Sequence, residues 1–272
     1  MKVMIIGAAG FIGSTAAAHM IQNTDFSIVS LDDLSGTPDV FNLEPVLASK
    51  NRHTFQVADV FDRRIMNAII KLEKPDVILF VADSKIAGRG GKDAFAALLE
   101  TVYEGNNKIG KIVCVVPDNE ILDCGNHKNV IFIKTCQLFG HRQSPDSIVP
   151  TTIFRLLHNT GPVPVPRNNI QEWLYIGDFL TALVLLIKNG EPKTYYVSAG
   201  FLATEAEVIN KISVAMGATP ALDENCSEMK NIFYSKDIFE LGWIPTRAID
   251  EALSHTARWY QTNEWAFRGK KW

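Results

Sequence analysis

Three glycines and one acid carry the first chemical signal in this sequence. Gly7, Gly10 and Gly13 sit in the stretch Gly-Ala-Ala-Gly-Phe-Ile-Gly, directly after the apolar run Lys2–Ile6. At that spacing Gly7 permits a tight turn, Gly10 lets backbone N–H groups approach a pyrophosphate, and Gly13 lets a helix pack closely on a strand. The helix opened by Phe11 and Ile12 turns its unpaired N–H groups and partial positive charge to the same place. Asp32 ends the second apolar run, roughly 20 residues on, where a carboxylate can accept a ribose 2′-OH. A carboxylate there also repels a 2′-phosphate. The pattern therefore predicts an NAD site, favoured over NADP, lined by Gly7, Gly10, Phe11, Ile12, Gly13 and Asp32. Asp59 and Val60, after the third run, are candidates for the adenine end, with a solvated turn acid as the plainer reading of Asp59.

Positioning such a site requires strands that end at it and helices that begin there. Near-continuous apolar runs predict strands at Lys2–Ile6, Phe26–Leu31, His53–Val57, Asp76–Val81, Lys111–Val116 and Val130–Lys134. Runs without alternation indicate a parallel sheet covered on both faces. Helical spacing fits between them at Phe11–Gln22, around Asp39–Ser49, at Arg63–Lys71 and at Asp93–Asn106. The texture changes after Gly140. The stretch Gly161–Pro166 must be extended, because each proline fixes φ and disfavours helix before it. An apolar helix follows at Ile176–Ile187 with Asp178 in its first turn, where a carboxylate suits the helix dipole. Tyr195–Val197 reads as a strand, and Thr204–Met216 as a helix with a capping box from Thr204 to Glu207. Asp250–Tyr260 is amphipathic. The expected architecture is α/β: a Rossmann-type doubly wound parallel sheet with a small C-terminal substrate lobe. Residues 1–140, joined by parts of 170–200, would form the NAD-binding domain, and residues 141–272 the lobe.

Composition narrows the classes of function. The 272 residues are 47% hydrophobic and 21% charged, with net charge −3, which suits a compact globular chain. A slightly acidic balance argues against nucleic acid or a membrane surface as partner. No apolar run approaches the roughly 18 residues that span a bilayer. Apolar strand-like sequence starts at Lys2, so the expectation is no secretory leader and a cytoplasmic protein. The four cysteines, Cys114, Cys124, Cys136 and Cys226, are scattered, as reduced thiols would be. Cys124-x-x-His127 has metal-ligand spacing but lacks a second pair, so no metal is expected.

Several stretches together resemble the extended short-chain dehydrogenase/reductases, specifically the nucleotide-sugar 4,6-dehydratases and epimerases. The glycines follow that family's G-x-x-G-x-x-G form. Gln171–Asp178 is similar to its R-D-W-x-Y-V-x-D, Gln137-Leu138-Phe139-Gly140 to N-x-Y-G, and Leu241–Pro245 to L-G-W-x-P. The resemblance runs nearly end to end and implies a nucleotide-sugar ligand. By the same resemblance Lys134, Gln137 and Gln171 fall at substrate positions, with Gln171 where an arginine would hold the diphosphate. An amide is a poorer anion partner than a bidentate guanidinium.

The family's chemistry needs a tyrosine and a lysine four residues later on one helix. The tyrosinate takes a sugar hydroxyl proton while hydride passes to NAD. None of the six tyrosines here has that partner: the residues four after Tyr103, Tyr175, Tyr195, Tyr196, Tyr234 and Tyr260 are Asn107, Phe179, Ala199, Gly200, Ile238 and Glu264. The helix that would carry the pair is also missing, since Asp118–Lys128 alone separates Pro117 from Asn129 and lacks helical periodicity. That stretch can still reach back across a short strand when extended, so the sheet can stay parallel. Where dehydratases carry Thr-Asp-Glu, this chain has Pro117-Asp118-Asn119. Asp118 and Asn119 are thus the remaining acid/base candidates, with Lys85 as a substitute base whose plainer reading is a solvated loop lysine.

Two functions follow from the sequence. One is an NAD(H)-binding relative of the dehydratases that is catalytically impaired, a pseudoenzyme acting through binding or assembly. The other is an active NAD-dependent dehydratase or epimerase with a non-standard acid/base set. Loss of the helix should bare one face of the strands at 112–116 and 130–133, which predicts self-association or a protein partner there.

Overall fold

The computed structural model describes residues 1–35, 40–81, 90–116, 128–160, 169–219, 228–229 and 235–267. Two compact units emerge. The first comprises Met1–Thr135 and Ala182–Tyr196, the second Cys136–Thr181 and Val197–Trp272.

In chain order the first unit holds β1 (Lys2–Ile6), α1 (Phe11–Asn23), β2 (Ser27–Asp32), a 3₁₀ turn (Val40–Leu43), α2 (Glu44–Leu47), β3 (His53–Val57), α3 (Arg63–Glu73), β4 (Val77–Val81), α4 (Gly91–Glu104), β5 (Lys111–Val116) and β6 (Val130–Thr135). Seven strands form its sheet in the order β3-β2-β1-β4-β5-β6-β9, where β9 is Thr194–Val197. Each ladder from β3 to β6 is parallel. The order reverses between β1 and β4, and at such a switch point the strand ends open a crevice for a ligand.

The strands form where they do because both of their faces are covered. Val3, Met4 and Ile5 of β1 are fully buried, as are Ile78, Leu79 and Phe80 of β4. On one face Met66 and Ile70 of α3 join Phe95, Leu98 and Val102 of α4 over Met4, Ile6, Phe80, Ile112 and Cys114. Asp62 caps α3 by accepting the Ile65 N–H at 3.0 Å, and Lys74 ends it in the left-handed region at φ 48°.

The connection 117–129 leaves β5 and β6 adjacent and parallel, with Ile112 opposite Val130 and Val116 opposite Lys134. The expectation that these strands would be bared is corrected here. Ile112, Val113, Cys114, Val115, Val116, Val130, Ile131 and Ile133 are buried within the single chain, and only Phe132 of that stretch is partly exposed. Phe95 contributes to the cover, its ring meeting Phe80 of β4 at 5.2 Å and Phe132 of β6 at 5.7 Å in a cluster with Leu98, Leu99 and Val102 of the same helix. On the other face the end of α6 (Ile176–Asn189) is tied to β5, because Lys111 Nζ donates to the carbonyls of Leu186 and Ile187 at 3.3 and 2.9 Å. Burial pushes that ammonium's pKa below the usual lysine range.

The second unit contains β7 (Gln137–Phe139), α5 (Ile148–His158), β8 (Asn169–Tyr175), the start of α6, β10 (Phe201–Ala203), α7 (Glu205–Ala215), β11 (Glu228–Met229), α8 (Lys236–Glu240) and α9 (Ile249–Thr262). β8 pairs with β7 and β11 in parallel and with β10 antiparallel. The capping box at α7 forms as the sequence predicts: Thr204 Oγ1 accepts the Glu207 N–H, and Glu207 Oε2 accepts the Thr204 N–H. The C-terminal aromatic residues pack on this unit, with Tyr260 stacked on Phe267 at 4.9 Å and Trp259 edge-on to Trp265 at 5.8 Å. Among the described residues no helix is long and apolar enough to cross a membrane.

Candidate functional site

The turn after β1 is built to keep a helix terminus open. Gly7 adopts φ +82°, and the Gly7 and Ala8 N–H groups both donate to the Leu31 carbonyl, at 3.0 and 3.1 Å. A Cβ on Gly7 would stand 3.0 Å from the Val81 carbonyl at the end of β4, so only a residue without one fits without strain. A Cβ on Gly13 would overlap the Gly7 carbonyl, which shows how closely α1 packs on its own turn. Gly10 is the N-cap of α1 at φ −73° and ψ 177°, and a methyl there would lie 3.4 Å from the Gly7 oxygen. The terminus of α1 has no side-chain cap and no acid in its first turn. Its first N–H groups, those of Phe11, Ile12 and Gly13, precede any intrahelical acceptor, and Ser14 N–H is the first to bond back, to Gly10 at 3.0 Å. An uncapped terminus beside a glycine cradle fits a pyrophosphate, whose oxygens would take those donors.

Asp32 closes the site from β2. It is buried, with Oδ2 accepting the Ala9 N–H at 2.8 Å and Oδ1 accepting the Leu34 N–H at 2.9 Å. The structure therefore brings Gly7, Gly10, Phe11, Ile12, Gly13 and Asp32 together at the end of β1 and β2. Asp59 lies one strand further, its Oδ1 accepting the Phe61 N–H at 2.9 Å in a local turn. The Val60 side chain is 2% exposed and belongs to the core beside Met66 and Ile70. Sequence reasoning missed Asn42, whose Nδ2 donates to the Ala9 carbonyl at 3.0 Å. No local pattern marks it, because the contact joins residues 33 apart.

The acid/base candidates Lys85, Asp118 and Asn119 lie outside the described residues, as do Cys124 and His127. Among the described residues no group of three or more His, Cys, Asp or Glu side chains could hold a metal ion. Lys134 sits on β6, partly buried. In the second unit Gln137 is exposed and stands opposite Trp173 in the β7–β8 register, two residues along β8 from Gln171. Residues two apart on a strand share a face, so Gln137 and Gln171 are neighbours there. Gln171 Nε2 donates to Glu205 Oε1 at 3.3 Å, placing its amide against a carboxylate at the start of α7. Sequence reasoning missed Glu205 as well, which is itself buried.

The stretches other than the glycine turn that carry the family resemblance all lie in this unit. Trp243 Nε1 donates to the Asp178 carbonyl and to Thr181 Oγ1, at 3.1 and 2.9 Å. Asp178 Oδ1 accepts the Thr246 N–H and hydroxyl at 2.9 and 2.8 Å. Asp178 thus does more than favour a helix dipole: it clamps the segment after Trp243. Tyr175 Oη lies 3.0 Å from His255 Nδ1, with the Arg247 guanidinium 5.5 Å from the Tyr175 ring centre. Burial pushes the Tyr175 phenol up from its ordinary value, and burial followed by the charges of Arg247 and Arg258 pushes His255 down. Tyr175 is therefore held protonated, the opposite of an activated phenolate.

Fold and turn define a doubly wound α/β protein with a dinucleotide-type phosphate cradle. Residues 3–107 match the NAD dependent epimerase/dehydratase family. The chain is 25% identical to the low-salt glycan biosynthesis protein Agl12 of Haloferax volcanii, over 96% of this chain and 98% of that protein. That alignment spans 312 positions against 272 residues here, so the chain runs the length of its relative while lacking segments of it. Its fold is similar to dTDP-glucose 4,6-dehydratase of Bacillus anthracis, solved in complex with NAD, with a TM-score of 0.82, 20% identity and 98% of each chain covered. It is similar also to UDP-glucose 4-epimerase of Thermotoga maritima, solved with UDP-glucose, with a TM-score of 0.77, 18% identity, and 97% and 100% covered.

Proposed function

We propose that the protein binds NAD(H) at the glycine turn and is a catalytically impaired relative of the nucleotide-sugar dehydratases and epimerases, acting through binding or assembly in the cytoplasm. The observation that supports cofactor binding is the uncapped α1 terminus beside Gly7, Gly10 and Asp32. An ionised carboxylate offers roughly four acceptor positions, so Asp32 can serve a ribose diol as well as the turn. Bound NAD would supply hydride-transfer chemistry, while these residues hold its phosphates and adenosine ribose in place. Impairment is supported by the shortness of the sequence between the neighbouring strands β5 and β6, residues 117–129, and by the sequence's having no tyrosine with a lysine four residues on. The amide of Gln171, turned to Glu205, offers a nucleotide diphosphate no positive charge. Of the β5 and β6 stretch expected to take a partner only Phe132 is partly exposed, so assembly would need surface beyond that face.

Two measurements test the reading. Purified protein, denatured and extracted, is expected to release NAD, or the refolded protein to bind added NADH. Incubation with dTDP-glucose, UDP-glucose or UDP-GlcNAc is expected to yield no 4-keto sugar. Turnover at ordinary rates, abolished in Asp118→Ala, would instead establish the active dehydratase or epimerase with Asp118 as acid, the base being Lys85 or a residue from another chain.

A further inference from the structure

We propose that Asn42 is a positioning residue for the phosphate-binding turn, an inference that rests on the dinucleotide reading above. Its Nδ2 donates to the Ala9 carbonyl at 3.0 Å. That carbonyl belongs to the Ala9–Gly10 peptide, which is planar, so fixing the oxygen fixes the direction of the Gly10 N–H. The turn itself holds that N–H weakly, since Gly10 N–H reaches the Gly7 oxygen at 3.4 Å, beyond the usual range. The preceding peptide is gripped from its other edge, where Ala9 N–H donates to Asp32 Oδ2 at 2.8 Å. Asp32 ends β2 and Asn42 lies in the 3₁₀ turn Val40–Leu43. Two side chains of the same connection thus hold successive peptides of one turn.

The residue type matters. A primary amide donates to a carbonyl without bringing charge to a site meant for a diphosphate. An aspartate of the same shape could not donate, and it would add a negative charge beside the phosphates. With the peptide already aimed, binding does not have to order it, which lowers the cost of association. The effect should fall on the phosphate half of a ligand and spare the adenosine half, which meets Asp32.

Titrations of the full chain with NADH, ADP-ribose and adenosine, for the wild type, Asn42→Ala and Asn42→Asp, test this. Affinity for NADH and ADP-ribose is expected to fall about tenfold in Asn42→Ala, corresponding to about 1.4 kcal/mol, and further in Asn42→Asp. Adenosine affinity and the melting temperature of the ligand-free protein are expected to stay level. NADH affinity equal to wild type in both variants would overturn the inference. So would a loss of adenosine affinity in step with NADH, or an early-melting ligand-free variant, either of which marks a general structural role. A wild type that binds none of the three would remove the cofactor reading itself, a result distinct from a wild type that binds and variants that bind equally.

Discussion

Asp32 accepts the Ala9 N–H through Oδ2 at 2.8 Å, so the acid at the end of β2 is a strut of the glycine turn in addition to its proposed part in holding a ribose. Its removal should therefore cost both folding and binding. Asp32→Ala leaves the Ala9 and Leu34 N–H groups without their carboxylate, and hydrogen bonds to charged groups contribute about 1.5–3 kcal/mol each. Urea unfolding is expected to show a loss of about 2 kcal/mol. NADH titration is expected to show an affinity at least tenfold weaker, about 1.4 kcal/mol. An unchanged affinity would mean that Asp32 does not face the ligand.

The glycines of the turn should separate in the same pair of assays. Gly13→Ala drives a methyl into the Gly7 carbonyl, a backbone atom that cannot swing aside. Overpacking of that kind costs about 1–3 kcal/mol, and thermal unfolding should show it directly. Gly10→Ala meets the same oxygen at 3.4 Å, which a small shift relieves, so its stability should stay close to wild type. Its methyl nevertheless stands at the cap of α1, where a phosphate would approach, and NADH binding should weaken.

Acid should destabilise the second unit through His141. Burial, with the charges of Arg142 and His255, holds this imidazole down at about 3, against an ordinary value of 6.5. Between those values the unfolded chain carries a proton that the folded chain does not. Stability is then complete above about pH 6.5 and declines as pH falls toward 3, by at most about 1.4 kcal/mol per pH unit. His255, also held below its ordinary value, adds to the same trend. Melting temperatures from pH 7 to 4 should fall less steeply in His141→Gln than in the wild type, and parallel curves would contradict the assignment.

The sequence discloses those parts of the fold whose signals are local. β1 to β6 are legible because buried parallel strands are almost wholly apolar, and α7 because Thr204 and Glu207 announce its start. The turn at Gly7 is legible because its conformations demand glycine. β7, β8 and β10 are not, because they are short, carry Gln137, Gln171 and Glu172, and exist through pairing between distant segments. The helix expected over residues 39–49 breaks into a 3₁₀ turn and the short α2, since Pro45 has no N–H to continue a helix and sits where one must begin. Cover over β5 and β6 escaped sequence reasoning for a different cause. It depends on side chains of α4, Phe95 among them, meeting strands distant in sequence. Asn42 is hidden for the plainest reason, in that nothing near residue 42 reports a carbonyl at residue 9.

Asp178 offers the sharpest test of how the second unit is held. It is buried, and its carboxylate accepts the Thr246 N–H, the Thr246 hydroxyl and, at 3.3 Å, the Arg247 N–H. Asp178→Ala removes all three hydrogen bonds at once, and because Thr246 and Arg247 are exposed their donors can turn to water, so a loss of about 2 kcal/mol is expected on unfolding. Thr246→Ala removes the hydroxyl alone, and the backbone N–H keeps its partner, so about 1 kcal/mol should be lost. Because the two residues share a bond, the double variant should lose less than the sum, with a coupling of about 0.5–2 kcal/mol. Strict additivity would show that the carboxylate holds the segment after Trp243 through its backbone contacts alone. In that case Trp243→Phe, which deletes the indole donor to the Asp178 carbonyl and Thr181, becomes the variant expected to loosen the same segment.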